Sequence, residues 1–341
     1  MALALSGGGD SVALMLLLAG WAKKHHSEVY ALIVDHGLRP EAHKEAKRAA
    51  RWAKAAGLKP HVLSWRGAKP KRNIEDAARN ARYRLMGEWC EAHAVFTLLV
   101  AHTRDDQAET FLLRLGRGSG VDGLSAMRIK APFPLPGFSG LELVRPLLDF
   151  GRDELRAFLK VHKAEWIEDP MNADPRFFRT KVRALLPQLE LAGIPKHRIA
   201  AAAAHIGRAR EALDRETETM LSLHARFDAS GFALVDAHAL LSAPREIGLR
   251  VLVKALMIVS GEAYRPRLEG LELVFDSFKG KDGAARTLHG CKIGFAPKRL
   301  QEFGARTLLI QREAARKNPS PRRAASEKAH FSARNGGLTV S

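Results

Sequence analysis

The chain has 341 residues, a length that predicts two domains, and its 46% hydrophobic content is sufficient to form packed cores. Its formal net charge of +18 at pH 7 favours a polyanionic partner such as RNA over a small-molecule substrate alone, although a generic basic protein has the same balance. Only two cysteines, Cys90 and Cys291, occur far apart, which argues against a disulfide framework or a Cys-x-x-Cys metal site and suits a reducing cytoplasm. The pattern at the N-terminus is that of a strand, so we do not expect a signal peptide. The apolar runs are too short to predict a membrane span.

The first half of the chain alternates strand and helix patterns. This alternation predicts an α/β fold, a parallel twisted sheet with helices on both faces, in which ligands bind beyond the carboxyl ends of the strands. The predicted strands are 2–5, 29–34, 61–65 and 95–101, and the predicted helices are 10–24, 41–56, 74–94 and 105–115.

After residue 115 the alternation ends, and a smaller, mainly helical domain is expected to follow the first domain. A Gly- and Pro-rich loop is expected first, then helices, and Gly193 and Pro195 break the pattern at the expected domain boundary. The loop is 116–140, and the helices are 150–160, 179–190 and 199–226. The expected organisation is a catalytic domain over 1–190, a second domain over 196–311 that ends in short strands, and a basic, disordered tail over 312–341.

A glycine loop joins the first strand to the first helix. Its sequence is Ser6-Gly7-Gly8-Gly9-Asp10-Ser11. Because glycines let the backbone approach a ligand and a helix N-terminus attracts anions, the loop predicts a phosphate site more than a ligand-free turn. It lacks the Gly-Lys-Ser/Thr ending of a Walker A loop. Since Asp10 would repel phosphate, we expect Mg²⁺ to bridge Asp10 and a polyphosphate.

Two further segments carry candidate nucleotide contacts. Asp35 and His36 end the second strand, where contact with adenine and ribose and an ordinary strand-to-helix turn are equally good interpretations. Arg79 and Arg82 share one face of the third helix. An ion pair with Glu75 accounts for Arg79, so Arg82 is the candidate cation on the phosphates.

Acidic residues cluster at the start of the fourth helix. Acids at the start of a helix can simply complement the helix dipole, and this is the alternative interpretation for residues such as Asp105. Asp106 and Glu109 are three residues apart and are expected to point the same way. That geometry suits a magnesium ligand paired with a base or with a carboxylate that binds an amine. The segment 118–123 matches G-x-G-x-x-G, but it follows a helix and is therefore not a dinucleotide fingerprint.

Residues 39–72 form the most basic part of the chain, with eleven Lys/Arg against two acids. The densest run is Lys69-Pro70-Lys71-Arg72. Such a segment can contact RNA phosphates, and the simpler alternative is a solubilising helix face. A steep salt dependence of RNA affinity would distinguish them.

The glycine loop resembles the PP-loop of the ATP pyrophosphatases, which cleave ATP between its α and β phosphates. Seven blocks over residues 1–190 together resemble the tRNA-Ile lysidine synthetases. They are the loop and the segments 34–39, 73–83, 101–127, 145–148, 168–172 and 178–183. Two positions depart from the family pattern. Thr103 stands where a second histidine is common, and Thr180 where an asparagine is common.

The resemblance implies a two-step reaction that uses ATP and Mg²⁺. ATP adenylates the C2 carbonyl oxygen of the wobble cytidine of a tRNA-Ile with a CAU anticodon. The ε-amine of free lysine then attacks C2 and releases AMP. Recognition of the tRNA would rest on both domains, and a homodimer is the family-level expectation.

The resemblance also implies roles for individual residues. Asp10 and Asp106 are expected on Mg²⁺ and ATP, Arg82 on the phosphates, and Glu109 nearest the lysine step. The expected ATP contacts are Ser6, Gly7, Gly8, Gly9, Asp10, Ser11, Asp35, His36 and His102. The expected tRNA contacts are Lys69, Lys71, Arg72, Arg114, Arg117, Arg179 and Arg183.

Three other classes of protein remain as alternatives. A PP-loop tRNA sulfur transferase is the nearest, and it would need a reactive cysteine or cluster ligands. GMP and NAD synthetases share the loop but not the later blocks. A non-catalytic RNA-binding protein would not need the set Asp10, Ser11, Arg82, Asp106 and Glu109.

Overall fold

A computed structural model describes residues 1–67, 69, 74–168, 178–262, 264–280 and 284–313. The chain divides into two compact units, Met1–Glu211 and a second that begins at Ala212. This division falls inside a 29-residue helix, Lys196–His224, whereas the sequence pattern placed the boundary near 191–196. Gly193, at φ +81°, does end the preceding helix, but the first part of the next helix still packs in the first unit through Ile199.

The first unit contains a six-stranded sheet in the order β3-β2-β1-β4-β6-β5. All neighbouring strands are parallel except β5, which pairs antiparallel with β6. The strands are β1 (Ala2–Ala4), β2 (Tyr30–Asp35), β3 (Lys59–Ser64), β4 (Thr97–Leu99), β5 (Lys130–Pro132) and β6 (Glu142–Val144). The chain order reverses between β1 and β4, so the segments after these two strands meet at the switch point, where ligands bind in such sheets.

Helices cover both faces of this sheet, as predicted. Leu3 and Ile33 belong to one apolar core with α1, α2 and α6, while Leu32 and Leu98 belong to a second core with α3. The helices of the first unit are α1 (Gly9–His25), α2 (Ala42–Ala55), α3 (Ile74–Ala92), α4 (Arg104–Leu115), α5 (Val121–Leu124), α6 (Arg152–Val161), α7 (Phe178–Leu191) and the first part of α8 (Lys196–His224).

The second unit combines helices with a five-stranded antiparallel sheet in the order β7-β8-β11-β10-β9. Its elements after α8 are β7 (Ala225–Phe227), β8 (Ala233–Asp236), α9 (Ala237–Ser242), α10 (Arg245–Ser260), α11 (Leu268–Ser277), β9 (Arg286–Leu288), β10 (Cys291–Phe295) and β11 (Thr307–Arg312). The three later strands were expected, whereas β7 and β8 were not, because β7 continues directly from α8. Across the described residues, no helix is long and apolar enough to cross a membrane.

Candidate active site

The glycine loop between β1 and α1 is shaped by close packing. Gly7 has φ +86°, and a Cβ there would lie 2.7 Å from Cδ1 of Ile167, so the position requires glycine. The Ile167 amide also donates to the Gly7 carbonyl at 2.9 Å. Ser11 Oγ donates to the Gly8 carbonyl and lies 3.1 Å from Ser6 Oγ. Gly8 caps α1 without a side-chain acceptor, which leaves the first-turn amides available to an anion.

At the start of α4, Thr103 and Asp106 form a reciprocal cap. The Thr103 amide and hydroxyl donate to Oδ2 of Asp106 at 2.9 and 3.0 Å, and the Asp106 amide points back to the Thr103 hydroxyl at 3.4 Å. Both side chains are buried. The threonine that departs from the family pattern therefore orients a predicted site carboxylate.

One guanidinium gathers the three predicted carboxylates. Arg152, the first residue of α6, donates through Nη1 to Glu109 at 2.5 Å and through Nη2 to Asp106 at 2.6 Å. Its Nε lies 3.3 Å from Oδ2 of Asp10. Asp106 and Glu109 do face the same group, as their spacing predicted, and Asp10 of the glycine loop joins them.

Two arginines of α7 complete the cluster around Glu109. Arg179 contacts Glu109 and Asp106, each at 2.7 Å, and Arg183 contacts Glu109 at 2.8 Å. Complete burial by itself would raise the pKa of Glu109, but the guanidinium groups of Arg152, Arg183 and Arg179 outweigh it and lower the pKa to about 2. Glu109 is therefore an anion at every physiological pH.

The other two acids have different surroundings. Burial raises the pKa of Asp10, and the nearby Arg152 only partly opposes this effect. Asp105 has other partners than the three carboxylates bound by the Arg152 guanidinium. It accepts from Lys196 Nζ and from the Arg152 amide, both at 2.9 Å. Asp105 thus connects the starts of α4, α6 and α8.

At the end of β2, the expected adenine and ribose contacts lie beside α3. Asp35 accepts from the Gly37 amide and lies 3.0 Å from His43 Nδ1, so both of its oxygens already organise the turn. Nε of Arg82, which is exposed, donates to His36 Nε2 at 3.4 Å. Their nucleotide roles stay predictions.

His102 follows β4 at the switch point. Among the described residues its Nδ1 is buried without a hydrogen-bond partner. Burial lowers the pKa of His102 to about 4, with further lowering by Arg145, Arg79 and Arg179 and an opposing effect of Asp106. A neutral imidazole with an unused nitrogen suits its predicted contact with a bound nucleotide.

The residues expected to contact tRNA lie in different local environments. Lys69 Nζ lies over the Trp65 ring and donates to the Trp65 carbonyl, and Arg114 donates to the Gly123 carbonyl at 2.7 Å. Arg117 is exposed, whereas Arg179 and Arg183 bind the carboxylates described above. Lys71 and Arg72 lie outside the described residues.

Arg152 and Lys196 were not among the site residues predicted from the sequence. A signal for Arg152 was present, because an arginine at the first position of a helix opposes the helix dipole and needs local acids to stabilise it. Lys196, the first residue of α8, has the same kind of position, and its partner Asp105 is 91 positions away.

The carboxylates fit Mg²⁺ as a pair. Magnesium in nucleotide sites takes one or two carboxylates together with phosphate oxygens. Within the described part of the chain, Oδ1 of Asp10 has no hydrogen-bond partner, while both oxygens of Asp106 accept hydrogen bonds. The described residues contain no group of three or more side chains arranged as a metal site. The role of Asp10 and Asp106 as ligands of Mg²⁺ stays a prediction.

Comparisons with known proteins identify the family. Residues 1–189 match the PP-loop domain family. The tRNA(Ile)-lysidine synthase of Wolbachia pipientis is 40% identical over 93% of this chain and 71% of its own length, and that of Bradyrhizobium diazoefficiens is 39% identical over 88% of both chains. The U34-tRNA thiolase NcsA from Methanococcus maripaludis shares the fold at a TM-score of 0.50 and 20% identity, over 62% of this chain and 71% of its own. The chain belongs to the tRNA(Ile)-lysidine synthase family.

Proposed function

We propose that this protein uses ATP to attach free lysine to C2 of the wobble cytidine of a tRNA-Ile with a CAU anticodon. The observation that carries the proposal is the contact of Arg152 with both Asp10 of the glycine loop and Glu109 of α4. The glycine loop thereby lies beside Glu109, the candidate residue nearest the lysine step. Membership of the family supports the same reaction.

The first step needs an anion site for the triphosphate. The cytidine O2 attacks the α-phosphorus, and the bond to the β-phosphate breaks, so pyrophosphate leaves. The amides of the loop and of the first turn of α1 would bind the phosphates, and Arg82 would add a positive charge. Mg²⁺ held by Asp10 and Asp106 would, when bound, offset charge on the leaving pyrophosphate.

The second step needs an anion for lysine. The amine nitrogen attacks C2, the C2–O bond to AMP breaks, and the ammonium must first lose a proton from a group whose free pKa is about 10.4. Because three guanidinium groups lower the pKa of Glu109 to about 2, Glu109 is a weak base. Glu109 therefore serves this step as a fixed anion near the lysine amine, and the proton passes to water.

The tRNA would contact the basic face of α2. Ala46, Ala49 and Ala53 face the core, while the lysines and arginines of this helix are exposed. They are Lys44, Lys47, Arg48, Arg51 and Lys54. Cations along one exposed face can follow a phosphate backbone.

The cysteines disfavour the sulfur transferase alternative. Cys90 and Cys291 are both completely buried, and burial raises the pKa of Cys90 to about 11. A reactive thiol has a lowered pKa and is accessible, so neither side chain is prepared for sulfur transfer.

We also propose that the reaction takes place in the cytoplasm. The expected homodimer is a further part of the proposal, and light scattering of the protein in solution would test it.

The test is incorporation of radiolabelled lysine into a tRNA-Ile(CAU) transcript with ATP and Mg²⁺, with an elongator methionine tRNA as the control. We expect label in the isoleucine tRNA alone. Formation of AMP that depends on tRNA but without label would shift the proposal to another nucleophile. The absence of both label and AMP would favour the RNA-binding alternative.

A further inference from the structure

The side chain of Arg152 is shared by carboxylates from two different elements. Asp10 belongs to α1 and the glycine loop, whereas Asp106 and Glu109 belong to α4. Each of its three guanidinium nitrogens contacts a different carboxylate. The Arg152 side chain is only 22% exposed, so these charges attract one another with limited screening by water.

The three carboxylates depend on Arg152 to different degrees. Without it, Glu109 would keep Arg179 and Arg183, and Asp106 would keep Arg179 and Thr103. Among the described residues, Asp10 has no other ion pair. Loss of the guanidinium would therefore separate the glycine loop from the α4 carboxylates while leaving most of the cluster in place.

The position of Arg152 is itself held from the backbone. Its amide donates to Oδ2 of Asp105 at 2.9 Å. The preceding Gly151 is in close contact, since a Cβ there would lie 2.8 Å from Nη2 of Arg104. A planar guanidinium on this anchor can reach three acceptors at once, which the single ammonium of a lysine cannot do with the same geometry.

We propose that Arg152 is a positioning residue for the ligation. It holds Asp10 and Asp106, on the nucleotide side, in a fixed relation to Glu109, on the amine side. The adenylated cytidine and the lysine amine then meet in one geometry. This inference rests on the proposed function, because it concerns the same site.

The test compares three full-length variants, Arg152→Ala, Arg152→Lys and Arg156→Ala. Arg156 is the matched control, since it is an exposed arginine on the same helix. We measure kcat and KM for ATP and lysine in the ligation, MgATP binding by calorimetry without tRNA, and the thermal unfolding midpoint. Loss of alignment should lower kcat by at least about tenfold in Arg152→Lys and further in Arg152→Ala, with KM changed by less than about threefold. Arg156→Ala should behave as the wild type in all of these measurements.

Three results would overturn the inference. They are a wild-type kcat in Arg152→Lys, a raised KM or Kd for ATP at unchanged kcat, and a loss of kcat that only follows the loss of folded protein. If Arg152→Ala does not fold, Arg152→Lys decides on the same criteria. A wild-type protein that adds no lysine contradicts the proposed function, whereas an active wild type with unaffected Arg152 variants contradicts only the role of Arg152.

Discussion

At the scale of single residues, Glu109 lies at the centre of the cluster of charged side chains. It is completely buried and binds three arginines. Removing its charge would leave the three guanidinium groups without this partner, which is costly in a buried site. Glutamine at this position keeps the shape of the side chain and removes only the charge.

Glu109→Gln is expected to separate the two half-reactions. Adenylation uses the loop, Asp10 and Arg82, so ATP–pyrophosphate exchange that depends on tRNA should stay within about tenfold of the wild type, while lysine transfer should fall by at least about 100-fold. Rapid-quench assays of both steps measure this, with the exposed Glu88→Gln as the control. Equal loss of both steps would contradict the assignment of Glu109 to the amine.

His102 provides a prediction for stability against pH. Its pKa is about 4 in the folded protein and about 6.5 in the unfolded chain, so the unfolded chain binds the proton more tightly between these values. The His102 contribution therefore destabilises the wild type as the pH falls from about 6.5 towards 4. In His102→Gln this contribution is absent.

Urea unfolding of the wild type and His102→Gln at pH 8, 6.5 and 5 measures the effect. The free energy of unfolding of the variant, minus that of the wild type, should rise as the pH falls, by up to about 1.4 kcal/mol per pH unit. Other groups that titrate cancel in this difference. A difference that is independent of pH would show that His102 titrates normally in the folded protein.

At the scale of elements, α4 depends on its N-terminal cap. Thr103→Ala removes the hydroxyl that bonds Asp106 and should lower the free energy of unfolding by about 1–2 kcal/mol, while Thr103→Ser should stay within about 0.5 kcal/mol. Chemical denaturation compares the two variants. Equal stability of Thr103→Ala and the wild type would show that the cap contributes nothing measurable.

Elements with a clear apolar pattern were predictable from the sequence, and strands within Gly- and Pro-rich segments were not. The periodic pattern located α1 to α4 and β1 to β4 within a few residues. The three-residue strands β5 and β6 were missed, because Gly and Pro around them are typical of a loop and Pro132 sits at a sheet edge. Strands this short are stabilised by their partners rather than by their own residues.

For the site, the sequence predicted the acids but not their cations. Asp10, Asp106 and Glu109 stood out because each follows a strand end or starts a helix. Arg152 lies 142 positions from Asp10, and Arg179 and Arg183, expected on tRNA, are found on Glu109. Such pairings depend on how the helices pack around the sheet, which local patterns do not encode.

At the scale of the whole molecule, the net charge of +18 should act through particular surfaces. The double variant Lys44→Ala/Lys47→Ala, on the α2 face, should bind tRNA more weakly than the wild type. The slope of log affinity against log salt concentration should become shallower by about 1.5, since each phosphate contact contributes about 0.7–0.9. Lys23→Ala/Lys24→Ala is the control, because both side chains are exposed on α1 and the charge change is equal. Filter binding at several salt concentrations measures both pairs, and equal losses would contradict a specific role for α2.

We propose that one site in this chain forms lysidine at the wobble position. The most direct measurement is mass spectrometry of nuclease fragments of tRNA-Ile(CAU) after incubation with the protein, ATP, Mg²⁺ and isotopically labelled lysine. We expect the labelled lysine on the fragment that contains the wobble cytidine and on no other fragment. An unmodified wobble cytidine, or lysine on a different nucleotide, would contradict it.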